Sequence, residues 1–392
     1  PSRKDEVFRY VRLNYFFANK YESARHIEIS AKEIEPHILP ECQQSVLVFV
    51  NGYFNSTLSR TAALPKNVIV SSLTEAMGTF GSFLNNQFNK AVKEETDFFA
   101  MMNMALHSEG AFLYLPPKTV AETPIQILNV VDAKEAPMMI MPRLQVFASA
   151  QSECKLVSTH VRLSSSKYAF NMVVDATVEE DAHIKYTQVA CSIPEDVWHF
   201  DALRSTLKRN STLKSFCVTD GSTTVRHDYR AVLIGENANV HLNGIWMLSG
   251  KNESHTHVLV DHQAPNCQSM QLFKGVLNDS GKSSFEGKIL VRQAAQKTEA
   301  FQLNNNLLLS DASHADSKPN LEIFADDVKA SHGATIGQLD QEHIFYMKTR
   351  GFTEAQAKGI LVYGFCQEVI DLIEIPSVHQ AMVSLSKSLK FN

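Results

Sequence analysis

The chain has 392 residues, 44% hydrophobic and 20% charged, with a formal net charge of −5, so it can bury a large core and is long for one compact domain. A mildly acidic chain without a Lys/Arg-rich run is poorly suited to phosphate backbones, which argues against nucleic-acid binding. No apolar stretch approaches the roughly 18 residues a membrane helix needs, and the opening PSRKDEVFRYVRLNYFF lacks the apolar core of a secretory signal; no membrane association and a cytoplasmic, reducing location are therefore expected.

The first hundred residues read as mixed and partly helical. SVLVFVNGYF suggests two short strands around Asn51-Gly52, a type I′ hairpin signal. In the stretch from Leu73 to Gly110, Phe80, Phe83, Leu84 and Phe88, then Phe98, Met101, Met102 and Leu106, fall at helical spacing. The Met-rich FFAMMNMAL at that spacing is core filler. From about residue 110 short β-rich runs follow one another for more than two hundred residues, among them IQILNVV, CKLVSTHVRL, NVHLNGIWML, HTHVLVDH and NNLLLSDA. The one candidate helix among them is PEDVWHFDALRSTLKRN. Parallel strands of an open α/β sheet need intervening helices, so a doubly wound fold is disfavoured. A large antiparallel sandwich or barrel and a parallel β-helix remain.

A repeat favours the second. Ala-Ser-His occurs at 312–314 and at 330–332, and Ala294 precedes the first alanine by the same interval of 18. Such a period suits a solenoid coil, which would stack His314 next to His332 and put Asn304-Asn305-Asn306 at a tight corner. Beyond His332, Asp340 is placed to cap QEHIFYMKTR and Gly351 to end it. Thr353 to Gln356 fits a capping box for a following helix that runs toward Pro376. Ile360, Leu361, Val362, Tyr363 and Phe365 spread apolar surface around that helix, so it needs burial on its own body or in a partner. The division expected is 1–109, mostly helical with a short hairpin; 110–335, the β-helix; and 336–392, a C-terminal helical region.

Motifs for chemistry are few. The cysteines at 42, 154, 191, 217, 267 and 366 are scattered, without a CxxC pair, as buried reduced thiols are. Gly281-Lys282-Ser283 has its preceding glycine, Gly275, one position too far away for a P-loop and lies between strands, so ATP would be bound by another subunit. His255 and His257 share a strand face and His262 follows, but no third ligand is fixed by spacing. His314 and His332 would together make an incomplete coordination shell; locally bonded turn histidines are the plainer reading. GxSxG and HExxH are absent, while a site assembled in space, as in β-helix enzymes acting on carbohydrates, leaves no short motif.

The run GKSSFEGKILVRQAAQKTEAFQLNNNLLLSDASHADSKPNLEIFADDVKASHGATIGQLDQEHIFYMKTRGF closely resembles the SufB/SufD family of iron–sulfur assembly proteins. DHQAPNCQSMQLFKGVLND and GAFLYLPPKTVAETPIQIL are similar to other blocks of that family. The length and the lack of a cysteine-rich N-terminal segment point to its SufD branch. The resemblance implies a mainly β protein: a right-handed parallel β-helix between an N-terminal mixed region and a C-terminal helical region. It also implies a non-enzymatic scaffold that pairs with a SufB-like subunit through the β-helices. Its C-terminal helices would dock a SufC-like ABC-type ATPase, with Phe345, Tyr346, Arg350, Gly351, Phe352, Ala357, Ile360, Leu361 and Phe365 as the docking residues. The histidine of the SHGAT block, His332 here, is implied to be a nascent-cluster ligand at the SufB interface. Many relatives carry Cys two residues before it, whereas this chain has Ala330, so other ligands would come from the partner. No cofactor is expected to be permanently bound; a transient iron–sulfur cluster or iron at the interface, and a flavin on the full complex, are further implications. Alternatives are a β-helix carbohydrate-active enzyme and a self-associating homodimeric resting form.

Overall fold

The structure is a computed structural model and describes residues 6–107, 109–134 and 137–388. From Ala111 onward the chain alternates between two parallel sheets. Sheet one takes Ala111–Leu115, Arg143–Ala148, Tyr168–Val178, Trp198–Leu207, Thr224–Leu233, Glu253–His262, Lys282–Val291 and His314–Ile323. Sheet two takes Ile125–Val131, Glu153–Arg162, His183–Ala190, Thr212–Thr219, Asn239–Leu248, Gln268–Leu277, Thr298–Leu308 and Val328–Gln338. Each coil contributes one strand to each sheet, giving a parallel β-solenoid of about eight turns whose core lies between the sheets. Trp246, Phe273, Phe285, Tyr229 and Leu203 are among the buried side chains there.

The coil is longer than the 18 residues the Ala-Ser-His doublet suggested. Trp198 pairs with Thr224, 26 residues on, and Lys282 with His314, 32 on. His314 therefore opens the last strand of sheet one, while His332 lies within the last strand of sheet two on Gln302. The doublet is not a structural echo, and its histidines are not neighbours on successive coils. The true repeat is written at one corner. Lys118, Gln151, Asp181, Asn210, Asn237, Asn266 and Lys297 have φ between 57° and 61°, and each is followed by a small buried residue: Thr119, Ser152, Ala182, Ser211, Ala238, Cys267 and Thr298. The left-handed turn aims its N–H at the next coil: Asp181 N donates to Arg209 O (3.0 Å), Asn210 N to Glu236 O (2.9 Å) and Asn266 N to Gln296 O (2.9 Å). Asn is favoured because it tolerates left-handed angles better than other residues with a Cβ. The Asn304 triplet, in contrast, lies within the strand Thr298–Leu308. Asn304 and Asn306 face inward, with Asn306 Nδ2 donating to Asn304 Oδ1 (2.8 Å).

Helices cover both outer faces. On the N-terminal side these are α1 (Leu13–Ala18), α2 (Ala31–Ile34), α3 (Leu73–Glu94) and α4 (Phe98–Leu106). Ser72 and Glu75 form a capping box at α3, and Asp97 caps α4. Phe16 and Phe99 pack on Trp198 and Phe200 of sheet one. Both faces of Trp198–Leu207 are thereby buried, so its sequence shows no clean period two and could read as a helix; it is a strand. The hairpin at Asn51 (φ 49°) and Gly52 (φ 84°) is as expected, with Val50 paired to Tyr53. It extends sheet two beyond Ile125–Val131, while Ile69–Ser72 runs antiparallel to Ala111–Leu115 and closes sheet one.

At the other end α5 (Gln341–Thr349), α6 (Glu354–Ile370) and α7 (Pro376–Ser388) follow the last strand. The Thr353 and Gln356 capping box is present. Val362, Cys366, Val369 and Ile370 of α6 bury against Phe216, Ile245, Met247 and Val276 on the outer face of sheet two. Lys274, only 4% exposed, fastens the helix by donating to Phe365 O (2.8 Å) and pairing with Glu368. Among the described residues, no helix is long and apolar enough to cross a membrane.

Candidate functional site

The two ends of the solenoid differ. The antiparallel strands and hairpin cover the first coil, whereas His314–Ile323 and Val328–Gln338 are the terminal strands of their sheets. Each of these strands offers one side of its backbone to an incoming strand, and an edge of 10 or 11 residues is a strong pairing template. Ile323, Phe324, Ile336 and Leu303 are exposed at the same end, Phe324 at 63%. Few folded chains leave two long parallel edges and this much apolar side chain uncovered without a partner to cover them.

His332 lies in the middle of the Val328–Gln338 edge. The register of that strand on Thr298–Leu308 is continuous, so the alternation of side chains holds throughout. Val328 and Ala330 face inward and join the cluster of Ile289, Val291 and Ala300; His332 shares that face but is exposed because no further coil covers it. Beneath it in register are Gln302 and then Gln271. The imidazole is thus accessible from the open end, and the residue beneath it in register carries an amide.

Among the described residues, no three His, Cys, Asp or Glu side chains converge tightly enough to hold an ion. Burial pushes the thiols of Cys42, Cys154, Cys217 and Cys366 up to about 12 and that of Cys267 to about 11. Burial also raises Cys191 well above the ordinary thiol range. At neutral pH all six stay protonated and are poor nucleophiles and ligands. On the inward-facing side of the sheet-two edge, His332 is the imidazole open to an incoming partner.

The other histidines singled out by sequence have local partners. His314 Nε2 is 3.3 Å from Asp316 Oδ2 on the outer face of sheet one. His255 Nδ1 meets Ser284 Oγ (2.7 Å), His257 Nδ1 meets Asp228 Oδ2 (2.8 Å), and His262 Nε2 meets Ser269 Oγ (2.8 Å). His257 belongs to a buried ion-pair network that ties α4 to sheet one: Arg226 pairs with Asp97 (2.8 Å) and Asp228 (2.7 Å), and Arg204 with Glu95 (2.7 Å) and Asp228 (2.7 Å). Burial alone would raise the Asp228 carboxyl, but Arg204, Arg226 and His257 outweigh it and hold it well below the carboxylate range. Gly281-Lys282-Ser283 leads into a strand, not a helix N-terminus.

Sequence reasoning missed a polar row inside the solenoid. His199 Nε2 lies 3.2 Å from Asp201 Oδ2, His160 Nε2 is 2.5 Å from Tyr168 OH, and His227 makes no hydrogen bond, its Nδ1 standing 3.9 Å from Asp201 Oδ2. Burial lowers His160 well below the usual imidazole range and His227 to about 4. WHFD and RHDY place these residues at alternate positions in two strands, but only the coil register makes Asp201 the neighbour of His227.

In the C-terminal helices Phe345 (69% exposed), Tyr346, Phe352 and Ile360 are open to solvent. Arg350 and Gly351 are exposed too, and the Arg350 guanidinium stacks over the Tyr346 ring at 5.1 Å. Leu361 is half-buried, Ala357 is fully buried, and Phe365 lies over the Lys274 ammonium at 4.8 Å on the chain's own body.

Residues 129–365 match the profile described as SUF system FeS cluster assembly, SufBD core domain, and residues 1–127 that of the SufBD protein N-terminal region. An iron–sulfur cluster assembly SufBD family protein of Synechocystis is 28% identical over 386 residues, covering 96% of this chain and 85% of its own. The iron–sulfur cluster assembly protein SufD of Escherichia coli is 27% identical over 390 residues, 98% of this chain and 88% of its own. A SufBD family protein of Mycobacterium leprae is 32% identical over 270 residues, 67% of each chain.

Proposed function

Because the chain belongs to the SufBD family of iron–sulfur cluster assembly proteins, we propose that it is a non-enzymatic scaffold subunit whose open solenoid end pairs with a SufB-like subunit. The observation that carries this reading is the pair of uncovered terminal strands with His332 in the middle of one of them. A second solenoid laid edge to edge would satisfy those backbone groups and cover Phe324 and Ile336. His332 would then face the junction and donate one nitrogen to a nascent cluster, the cargo of the assembly. With Ala330 beside it and the described thiols, five buried and Cys191 half-buried, all raised and protonated, the remaining ligands would come from the partner.

Phe345, Tyr346, Arg350, Gly351, Phe352 and Ile360 form the proposed docking surface for a SufC-like ABC-type ATPase, with half-buried Leu361 at its margin. Ala357 and Phe365 serve it indirectly by holding α6 on sheet two. The absence of a P-loop in the sequence fits a chain that borrows its ATP hydrolysis. A homodimer through the same edges is the resting form this geometry allows when no SufB-like subunit is present.

The test is reconstitution with SufB-like and SufC-like subunits. His332→Ala is expected to leave the mass of the complex unchanged by light scattering while cluster yield, read from visible absorbance, falls at least about tenfold. Undiminished cluster formation would remove His332 from the mechanism.

A further inference from the structure

Gln271, Gln302 and His332 are stacked in register on the inner face of three successive strands of sheet two. The two glutamines are 4% and 2% exposed. Gln302 Nε2 donates to Gln271 Oε1 at 2.8 Å, which uses one end of the amide. The other end, Gln302 Oε1, is buried and has no hydrogen-bond partner among the described protein atoms. A buried carbonyl oxygen left without a donor costs about 1–3 kcal/mol; in this structure it makes no hydrogen bond to His332, the next residue in register. Glycine at 287 on the facing sheet leaves room for this amide: a Cβ there would stand 2.1 Å from Gln302 Nε2.

Adjacent strands are about 4.8 Å apart, and in-register residues on one face lie side by side at that distance. His332 is the next residue in the row and carries the N–H that Gln302 Oε1 lacks. We propose that Gln302 is a positioning residue for His332: once the exposed ring turns down onto it, its carbonyl oxygen accepts the imidazole N–H, fixes the tautomer, and leaves the other ring nitrogen with its lone pair directed to the open end. Gln suits this task because it accepts without carrying charge, and Gln271 holds it by the opposite end. The proposal rests on the reading of His332 as a cluster ligand, since outer partners of this kind orient metal-binding histidines and typically change metal affinity 10–100-fold.

The experiment uses the full chain labelled with 15N-histidine, His332 being assigned by the signal missing in His332→Ala. Two-bond 15N–1H correlation spectra report the tautomer without any cluster present. The expected result is a single His332 tautomer in the wild type, a mixture in Gln302→Leu, and a single tautomer again in Gln302→Glu, which keeps the acceptor oxygen. In the reconstituted complex Gln302→Leu is expected to lower cluster yield about tenfold. A His332 tautomer mixture in the wild type, unchanged by Gln302→Leu, overturns the proposal. A single tautomer lost in Gln302→Leu, with full cluster yield in both that variant and His332→Ala, leaves the hydrogen bond standing and overturns the role assigned to His332. Circular dichroism melts of the variants separate either result from misfolding.

Discussion

His227 shows what a single side chain contributes inside the solenoid. It is fully buried, neither ring nitrogen makes a hydrogen bond, and burial lowers it to about 4 against the opposing pull of Asp201. The folded state therefore resists a proton that the unfolded chain takes up near its ordinary value of about 6.5. Stability from this group is complete above that pH and is lost as pH falls toward 4, a loss on the order of 3 kcal/mol over the window. His262, lowered to about 4 by burial, acts in the same direction. Replacing His227 with Leu removes unsatisfied polar atoms at similar volume. His227→Leu is expected to lie within about 1 kcal/mol of the wild type at pH 7 and to exceed it by about 2 kcal/mol at pH 5, read from urea midpoints at both pH values. Equal pH dependence in the two proteins would show that His227 titrates normally. At this scale the sequence supplied His332 through resemblance alone, since its surroundings, Gln302 beneath and no thiolate beside, follow from pairing across 30 residues.

The corner column governs the fold at the scale of the element. Asn237 has φ 58°, and its Nδ2 donates to Asn210 Oδ1 at 3.0 Å. Glycine meets the backbone requirement and loses only the side-chain bond, so Asn237→Gly is expected to cost about 1 kcal/mol. Valine is β-branched and strained at positive φ, so Asn237→Val is expected to cost about 2 kcal/mol or more. Equal denaturation midpoints for the two variants would refute the left-handed corner at 237. The column was legible in principle: EDAH, RNST, ENAN and PNCQ recur at intervals close to the coil length, each with Asp or Asn followed by a small residue. The louder Ala-Ser-His doublet concealed it. One copy starts at a turn and the other sits within a strand, so identical tripeptides mark unlike positions.

For the whole molecule the decisive feature is asymmetry. Helices α1, α3 and α4 cover sheet one, α2 and the C-terminal helices cover sheet two, and a hairpin with an antiparallel strand closes one end, leaving the other end open. The proposed partner surfaces are thus separable from the fold. A Phe345→Glu/Phe352→Glu double variant is expected to melt within about 0.5 kcal/mol of the wild type, since both rings are exposed. The same variant is expected to bind the SufC-like ATPase at least about tenfold more weakly by titration calorimetry. Unchanged affinity would place the docking surface elsewhere.

By itself, the sequence determined the β-rich core, the Asn51-Gly52 hairpin, the capped terminal helices and the family, because turn chemistry, capping and alternation act over a few residues. The tertiary structure decided the coil length, the separation of His314 from His332, and which faces of α6 are spent on the chain's own body. These depend on register between strands about 30 residues apart, where one slip changes every neighbour. The open end is a property of that register: a strand becomes an edge only when the count of coils runs out.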